Sequence, residues 1–444
     1  MSGRSFNSCY AVCMERTLTI KIERIAHDGA GEMTYNGNPL RVHGMLPHEE
    51  GIVDIHRKHG IYLGVLRELK NASPSRKMPE ELHYLSCSPW QVMEYPLQME
   101  LKRNMLVELF GYYEDAPKIK LTAAHQFYGY RTKVEFSFCD REGDVAIPLS
   151  LAFHERGGGS RRLKLEKGCM LASEEVNRVA LAITAKLRDL GYTARDLKTL
   201  VVRESKSEKK MLAILFAKAK MINKFSVDDI AGLSGFIVFH STEKSPASVP
   251  TQKLWSVGEE SLTESVGGNH VRYSWDSFFQ NNIPVFETAL LRMKEAVHSG
   301  SKILELYSGA GTIGLALAEV ASEVHAVEIV EGAVRASNAN AEANGITNFH
   351  AECLPAEKID ATILEGKDVL VLDPPRAGLH PKLIGHILEK RPETIIYLSC
   401  NPETQSRDYS LLKDAYQITH GEGFDFYPNT PHLESLLILK LRAK

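Results

Sequence analysis

Five stretches of this 444-residue chain place chemically useful side chains beside short apolar runs. KILELY leads into Ser308-Gly309-Ala310-Gly311-Thr312-Ile313-Gly314, VHAV into Glu328, DVLVL into Asp373-Pro374-Pro375-Arg376, and TIIYLS into Cys400-Asn401-Pro402, while Glu434 stands at the head of SLLILKL. The glycine loop fits G-x-G-x-x-G, whose small residues let backbone approach a nucleotide. The carboxylate ending the next strand can then bind ribose hydroxyls. Glu328 lies 19 residues after Gly309, near the ~20 such a carboxylate needs. Alone, the loop fits a dinucleotide, S-adenosylmethionine or a tight structural turn equally. In Asp-Pro-Pro two prolines fix an extended turn and remove two donors, so Asp373 and nearby carbonyls can be held against a flat base. A free cysteine is commonly just a small buried apolar residue. Before Asn-Pro, however, the strand must stop, which leaves Cys400 at its rim as a nucleophile. Glu434 reads either as a proton acceptor or as a surface carboxylate.

Those groups need a scaffold that brings them together. From residue 281 the pattern alternates: PVFETALLRMKEAVHSG is an amphipathic helix closed by Gly300, and the apolar runs are separated by helical stretches such as EGAVRASNANAEANG. That predicts a parallel sheet with crossover helices, which binds ligands at the carboxyl ends of its strands. SLLILKL lacks a clear crossover helix before it and is expected as an antiparallel edge strand starting on that same rim. Upstream, TLTIKIERI alternates β-branched and polar residues, and the turn signals DGAG and YNGN follow; residues 17–70 are therefore expected to form a small β-barrel. ASPSRKMPE reads as a linker. Residues 81–265 mix expected helices (QVMEYPLQMELKRNMLVELFGYY, despite Pro96, and EEVNRVALAITAKLRDLGY) with strands such as RTKVEFSF. Three domains are expected: 1–72, a tail and barrel; 73–265, α+β; and 266–444, a Rossmann-like α/β domain.

Charge divides along the chain. Residues 1–222 carry 34 Lys and Arg against 27 Asp and Glu; residues 223–444 carry 19 against 29. A basic front suggests a polyanion grip. Arg41, Arg57, Lys58, Arg67 and Lys70 contribute in the barrel, and residues 173–222 hold 11 basic against 6 acidic groups. A solvated helix face explains such a run equally well. No apolar run approaches the ~18 residues of a membrane helix. The first twenty residues lack a signal peptide's apolar core. Seven scattered cysteines do not make a disulfide framework. A reduced, cytoplasmic protein is expected, with no membrane and no obligate protein partner.

Together, SFFQNN (277–282), LELYSGAGTIGLALA (304–318), VEIVEGAV (327–334), LDPPRAGL (372–379), YLSCNPETQSRD (397–408) and FYPNTPHLES (426–435) resemble the RNA 5-methyluridine methyltransferases of the TrmA/RumA type. YGYRTKVEFSF (128–138) looks like the family's YRNK segment, with Thr132 where Asn is usual, and residues 17–70 look like its OB-like TRAM barrel. The resemblance implies an S-adenosylmethionine-dependent fold and a covalent mechanism. Cys400 would add to C6 of a uracil, C5 would take the methyl group, and Glu434 would remove the C5 proton. Gln280, Tyr307, Thr312 and Glu328 would line the donor's site, and Asp373 would lie between donor and base; Thr312 stands at a position where the family frequently has Asn or a Thr/Ser-like residue. Phe278, Phe279 and Tyr427 are candidates for stacking on a flipped base, with core packing favoured for at least one phenylalanine. The TRAM-like unit favours 23S rRNA over the tRNA T-loop as target.

One departure concerns metal. Many bacterial members hold a [4Fe-4S] cluster through three close cysteines and a later one. Aligning Gln91, Tyr95 and Gln98 with the family's Q-x3-Y-x2-Q leaves Leu85-Ser86-Cys87-Ser88 where Cys-Gly-Gly-Cys would stand. Cys169 corresponds to the later ligand, and Cys9 and Cys13 lie elsewhere. No cluster and no metal ligand are expected. A nicotinamide-dependent dehydrogenase would leave DPPR, SCNP and HLES unexplained, and a catalytically silent RNA-binding protein would not need both Cys400 and Glu434.

Overall fold

The computed structural model describes residues 14–58, 60–113, 117–156 and 161–443; Cys9 and Cys13 lie outside the described residues. The chain forms two compact units. One comprises Met1–Gln98, Glu155–Arg161 and Asn429–Pro431, the other Met99–His154, Arg162–Pro428 and His432–Lys444.

The first unit contains a six-stranded sheet in the order Met14–Lys21, Glu50–Lys58, Ile61–Asn71, Asn38–Val42, Gly31–Tyr35, Arg24–Ile25. Period-two alternation buries Ile20, Ile22, Leu40, Val42, Val53, Ile55 and Tyr62 on one side, consistent with a small β-barrel. Tyr35 pairs with Asn38 across Asn36-Gly37. Both turn residues have positive φ, 49° and 73°, as a two-residue hairpin with matching twist requires. Several basic residues of this unit already face carboxylates: Arg41 meets Glu32 and Asp28, Arg67 meets Asp54, and Lys70 meets Glu68.

The second unit holds two larger sheets. Seven strands run in the order Arg162–Lys164, Val145–His154, Lys133–Glu142, Leu197–Ser205, Lys210–Ala217, Leu233–His240, Gln252–Gly258. The helix Glu174–Asp189 lies against three of them, Val145–His154, Leu197–Ser205 and Lys210–Ala217. Its start is fixed by Ser173, whose hydroxyl accepts from the Val176 N–H at 3.1 Å. The helix Tyr95–Phe110 tolerates Pro96 because it stands in the first turn, where the missing N–H has no intrahelical partner.

The other sheet has eight strands: Phe349–Cys353, Glu323–Glu328, Lys302–Leu306, Val369–Leu372, Thr394–Ser399, Glu434–Leu441, Tyr416–Phe424, Lys120–Thr122. The first five are parallel, and Glu434–Leu441 runs antiparallel to Thr394–Ser399. The expected α/β architecture is present, with one correction. Glu434–Leu441 is an internal strand, because Tyr416–Phe424 and then Lys120–Thr122 lie beyond it. The sequence hid Tyr416–Phe424 because Gly421, Glu422 and Gly423 break its apolar pattern. Gly423 lets the side chains of Leu106 and Leu121 pack close: a Cβ there would come within 2.4 and 2.8 Å of their methyl groups. Among the described residues, no helix is long and apolar enough to cross a membrane.

Candidate active site

The carboxyl ends of the parallel strands form one rim, and the predicted residues gather on it. The strand Lys302–Leu306 leads into Tyr307, which is held at φ 65°, a strained conformation for a bulky residue. Gly311 follows at φ 83° and opens the helix Thr312–Leu317. A Cβ at Gly311 would meet Ser337 at 2.8 Å, and one at Gly314 would strike Glu305. The glycines thus let the loop fold tightly over the sheet. Glu328 ends the next strand; its Oε2 accepts from Gly309 N–H at 3.0 Å and its Oε1 from Val330 N–H at 2.9 Å. The carboxylate is therefore oriented by the very loop it was expected to serve, with lone pairs left for a ligand.

The segment that carries Gln280 is held by bonds from distant parts of the chain. Arg203, fully buried against the Tyr273 ring, donates to the carbonyls of Ser274, Trp275 and Ser277. Thr132 continues the clasp: its hydroxyl donates to Gln280 O at 3.2 Å and its N–H to Asn281 O at 3.2 Å. Asn282 Nδ2 donates to Phe426 O at 3.1 Å. The SFFQNN segment is thus fastened to both YGYRTK and FYPNT. Thr132, in place of the more usual Asn, still makes these bonds. Phe279 is core, stacked on Tyr273 with ring centroids 4.1 Å apart, whereas Phe278 is 65% exposed. Core packing therefore holds for one of the two phenylalanines.

Asp373 and Cys400 follow adjacent strands, Val369–Leu372 and Thr394–Ser399. The helix Pro402–Leu412 begins at once and secures the loop after Asp373. Asn401 Nδ2 donates to Arg376 O at 2.9 Å, and Asp408 accepts from Leu379 N–H at 2.7 Å and the Tyr397 hydroxyl at 2.8 Å. Glu434, 2% exposed, begins the next strand, and the Tyr427 hydroxyl donates to its Oε1 at 3.3 Å.

The rim is acidic. Burial, then the nearby Asp373, raises Glu434 well above the usual carboxylate range. Burial alone raises Asp373 to about 7. Burial, then the charges of Glu434 and Asp373, pushes the Cys400 thiol up to about 11, with Arg376 acting the other way. Glu305 was missed by the sequence reading, although a carboxylate inside the apolar run KILELY was a visible signal. It is 2% exposed, and burial followed by Asp373 raises it to about 8. Such a cluster disfavours further negative charge and favours a cation. Gln280 Oε1, Ser308 Oγ and Glu305 Oε2 are buried without a hydrogen-bond partner among the described residues, an arrangement suited to a ligand carrying donors and positive charge. S-adenosylmethionine, with its ammonium and sulfonium groups, fits that donor set and charge.

Comparison with known proteins shows the family. The tRNA (uracil-5-)-methyltransferase family matches residues 94–442. An uncharacterised RNA methyltransferase of Caldanaerobacter subterraneus subsp. tengcongensis is 30% identical, covering 95% of this chain and 98% of its own. One from Nanoarchaeum equitans is 28% identical, covering 94% and 93%. Among solved structures, the Pyrococcus abyssi tRNA (uracil-54, C5)-methyltransferase in complex with S-adenosyl-L-homocysteine is similar, with TM-score 0.77 and 23% identity over 95% of this chain and 100% of that one.

Proposed function

Because this chain belongs to the tRNA (uracil-5-)-methyltransferase family of S-adenosylmethionine-dependent RNA methyltransferases, we propose that it makes 5-methyluridine in RNA with Cys400 as nucleophile and Glu434 as base. The observation that carries this reading is the placement of a thiol and a buried carboxylate at facing ends of neighbouring strands, Thr394–Ser399 and Glu434–Leu441.

Carbon 5 of uracil is a poor nucleophile. Addition of the Cys400 thiolate to C6 saturates the 5,6 bond and gives C5 enolate character, so one difficult step becomes two easier ones. S-adenosylmethionine, when bound, supplies an electrophilic methyl group. Gln280, Tyr307, Thr312, Glu305 and Glu328 would hold that donor, and Asp373 would lie between it and the uracil. Glu434 then takes the C5 proton; the electron pair re-forms the 5,6 bond, the C6–S bond breaks, and Cys400 leaves as thiolate. The uracil must leave its stack to reach Cys400, and the exposed Phe278 is suited to stack on the flipped base or a neighbour.

For the RNA itself, the TRAM-like first unit supports 23S rRNA. The tRNA T-loop is a second reading, favoured by the substrate in the name of the matching family. Incubation with rRNA and tRNA containing 5-fluorouridine decides between them. Fluorine cannot leave C5 as a proton does, so the adduct stays trapped on the true substrate. Absence of any Cys400-linked adduct on either RNA would overturn the reading.

A further inference from the structure

One buried carboxylate joins the loop of Asp373 to the strand of Cys400. Asn401, Thr404, Arg407 and Asp408 recur at spacings of three and four, so they share one face of the helix Pro402–Leu412 and its first cap. That face grips the loop that follows Asp373. Asn401 Nδ2 and Thr404 Oγ1 donate to Arg376 O at 2.9 and 3.2 Å, and Arg407 Nη2 donates to Ala377 O at 2.9 Å. Leu379 N–H donates to Asp408 Oδ2 at 2.7 Å. Gly378 permits the approach: it stands at φ 78°, and a Cβ there would meet Asp408 Oδ2 at 2.5 Å and Arg407 Nη2 at 2.6 Å. Its N–H closes a tight turn on Pro375 O at 2.9 Å, with Arg376 inside that turn.

Asp408 is wholly buried, and four donors meet on it, two to each oxygen. Oδ1 accepts from Arg407 Nε at 3.0 Å and Nη2 at 2.7 Å. Oδ2 accepts from Leu379 N–H and from the Tyr397 hydroxyl, the latter at 2.8 Å. An ionised carboxylate has about four lone-pair sites, so the set is complete and none is left over for a ligand. An amide of the same size has one acceptor oxygen and two N–H donors, and would turn N–H groups towards donors.

The loop so held carries a charge that matters at the thiol. Arg376 favours the Cys400 thiolate, against burial and the charges of Glu434 and Asp373. Its side chain is exposed, so the bonds to its backbone decide where that charge stands. We propose that Asp408 is a positioning residue of the methyl-transfer site: by taking Leu379 N–H, Tyr397 and Arg407 together, it holds the Asp373–Leu379 loop, and with it the Arg376 guanidinium, beside Cys400. This rests on the reading of Cys400 as nucleophile.

Alkylation of Cys400 by iodoacetamide across pH, without RNA or donor, reads the effect at the thiol itself. Asp408→Asn should move the profile to higher pH, because a loosened loop withdraws the Arg376 charge. Arg376→Gln should do the same. The double variant should lie no higher than Arg376→Gln alone, since one residue acts through the other. With RNA, kcat of Asp408→Asn should fall about 10²-fold, the cost of a small misplacement remote from the chemistry, while KM for S-adenosylmethionine changes little. Should Asp408→Asn fail to fold by circular dichroism, Arg407→Gln decides: it removes the bonds to Ala377 and Asp408 from a side chain that is 53% exposed, and should raise the profile by a smaller step. A profile unchanged in the folded variant, or shifts that add in the double variant, would overturn the proposal. Absence of the 5-fluorouridine adduct in the wild type would instead remove the reading on which it rests.

Discussion

Cys400 and Glu434 face each other one step beyond a paired register. The antiparallel ladder between Thr394–Ser399 and Glu434–Leu441 ends at Ser399 opposite Ser435, so the next position outward sets Cys400 against Glu434. In the proposed mechanism a thiol that adds at C6 and a carboxylate that removes a proton at C5 must reach neighbouring atoms of one ring, and this register supports that reading. Cys400→Ala should abolish both methylation and trapping on 5-fluorouridine RNA. Glu434→Gln should lower turnover by about 10²–10⁴-fold, the usual contribution of a general base, while a covalent complex accumulates on ordinary uridine. Denaturing gels of enzyme mixed with labelled RNA separate these outcomes; full methylation by Cys400→Ala would rule out the nucleophile.

The thiol itself is unready in the protein alone. Its pKa lies near 11 because burial and the charges of Glu434 and Asp373 all disfavour the thiolate. A raised cysteine pKa means that the neutral thiol dominates until pH approaches that value. The cationic sulfonium group of S-adenosylmethionine close by should favour the thiolate and draw the pKa down. Alkylation of Cys400 by iodoacetamide, followed across pH by mass spectrometry, should therefore shift to lower pH with S-adenosylmethionine. The uncharged thioether of S-adenosylhomocysteine should shift it less. Equal profiles for the two ligands would refute charge coupling.

Tyr427 would tune the proposed base. Its hydroxyl donates to Glu434 Oε1 at 3.3 Å and favours the ionised carboxylate, opposing the burial that raises Glu434. Tyr427→Phe removes that donor, so Glu434 should need a higher pH to ionise. The ascending limb of kcat against pH should move upward. Near neutral pH, kcat should fall by about 2–10-fold, the worth of one hydrogen bond of ~0.5–1.5 kcal/mol. A reduced kcat with no movement of that limb would argue for simple disruption of the loop.

Much of this site was legible because it depends on strand ends. Short apolar runs placed Glu328, Asp373 and Cys400, and a parallel sheet then required a common rim. What stayed hidden depends on contacts between segments distant in sequence. Arg203 and Thr132 hold the Gln280 segment from more than seventy residues away; the resemblance marks the segment of Thr132, but no local pattern marks Arg203. Tyr416–Phe424 escaped because its glycines serve close packing, Gly421 against Ile119 and Gly423 against Leu106 and Leu121, and not strand propensity. The charge split also changed meaning: a count of basic residues cannot show that Arg41, Arg67 and Lys70 already face carboxylates.

Lys102 and Asp425 form an ion pair at 2.6 Å with both side chains wholly buried, and Lys102 Nζ also donates to Tyr427 O at 3.2 Å. The pair therefore fixes the backbone two residues beyond Asp425, where the Glu434 partner sits. Burial lowers the Lys102 pKa, against the attraction of Asp425. Lys102→Met would take Lys102 from its buried pair with Asp425, and breaking such a pair costs about 3–5 kcal/mol. Urea unfolding should show that loss. Lys102→Met combined with Asp425→Leu should recover much of it, since both charges of the pair are then gone. A double variant as unstable as the single one would show that packing, not charge, governs the position.

The lysines of the central region do not act as one patch. Lys209 and Lys210 flank the turn before the strand Lys210–Ala217, whereas Lys218 follows its far end. Lys210 already meets Glu259 at 3.0 Å, which raises its pKa. Lys218 is close enough to Lys198 that the two repel, leaving positive charge available to a phosphate at that end. Lys218→Gln should weaken RNA binding and reduce the slope of log affinity against log salt by about 1, as loss of one phosphate contact requires. Lys210→Gln should change the slope little, because its charge is compensated in the protein. Neither should alter S-adenosylmethionine binding measured by calorimetry. Equal slopes for wild type and Lys218→Gln would remove this end of the sheet from the RNA path, and an equal loss of donor affinity would indicate a general structural fault.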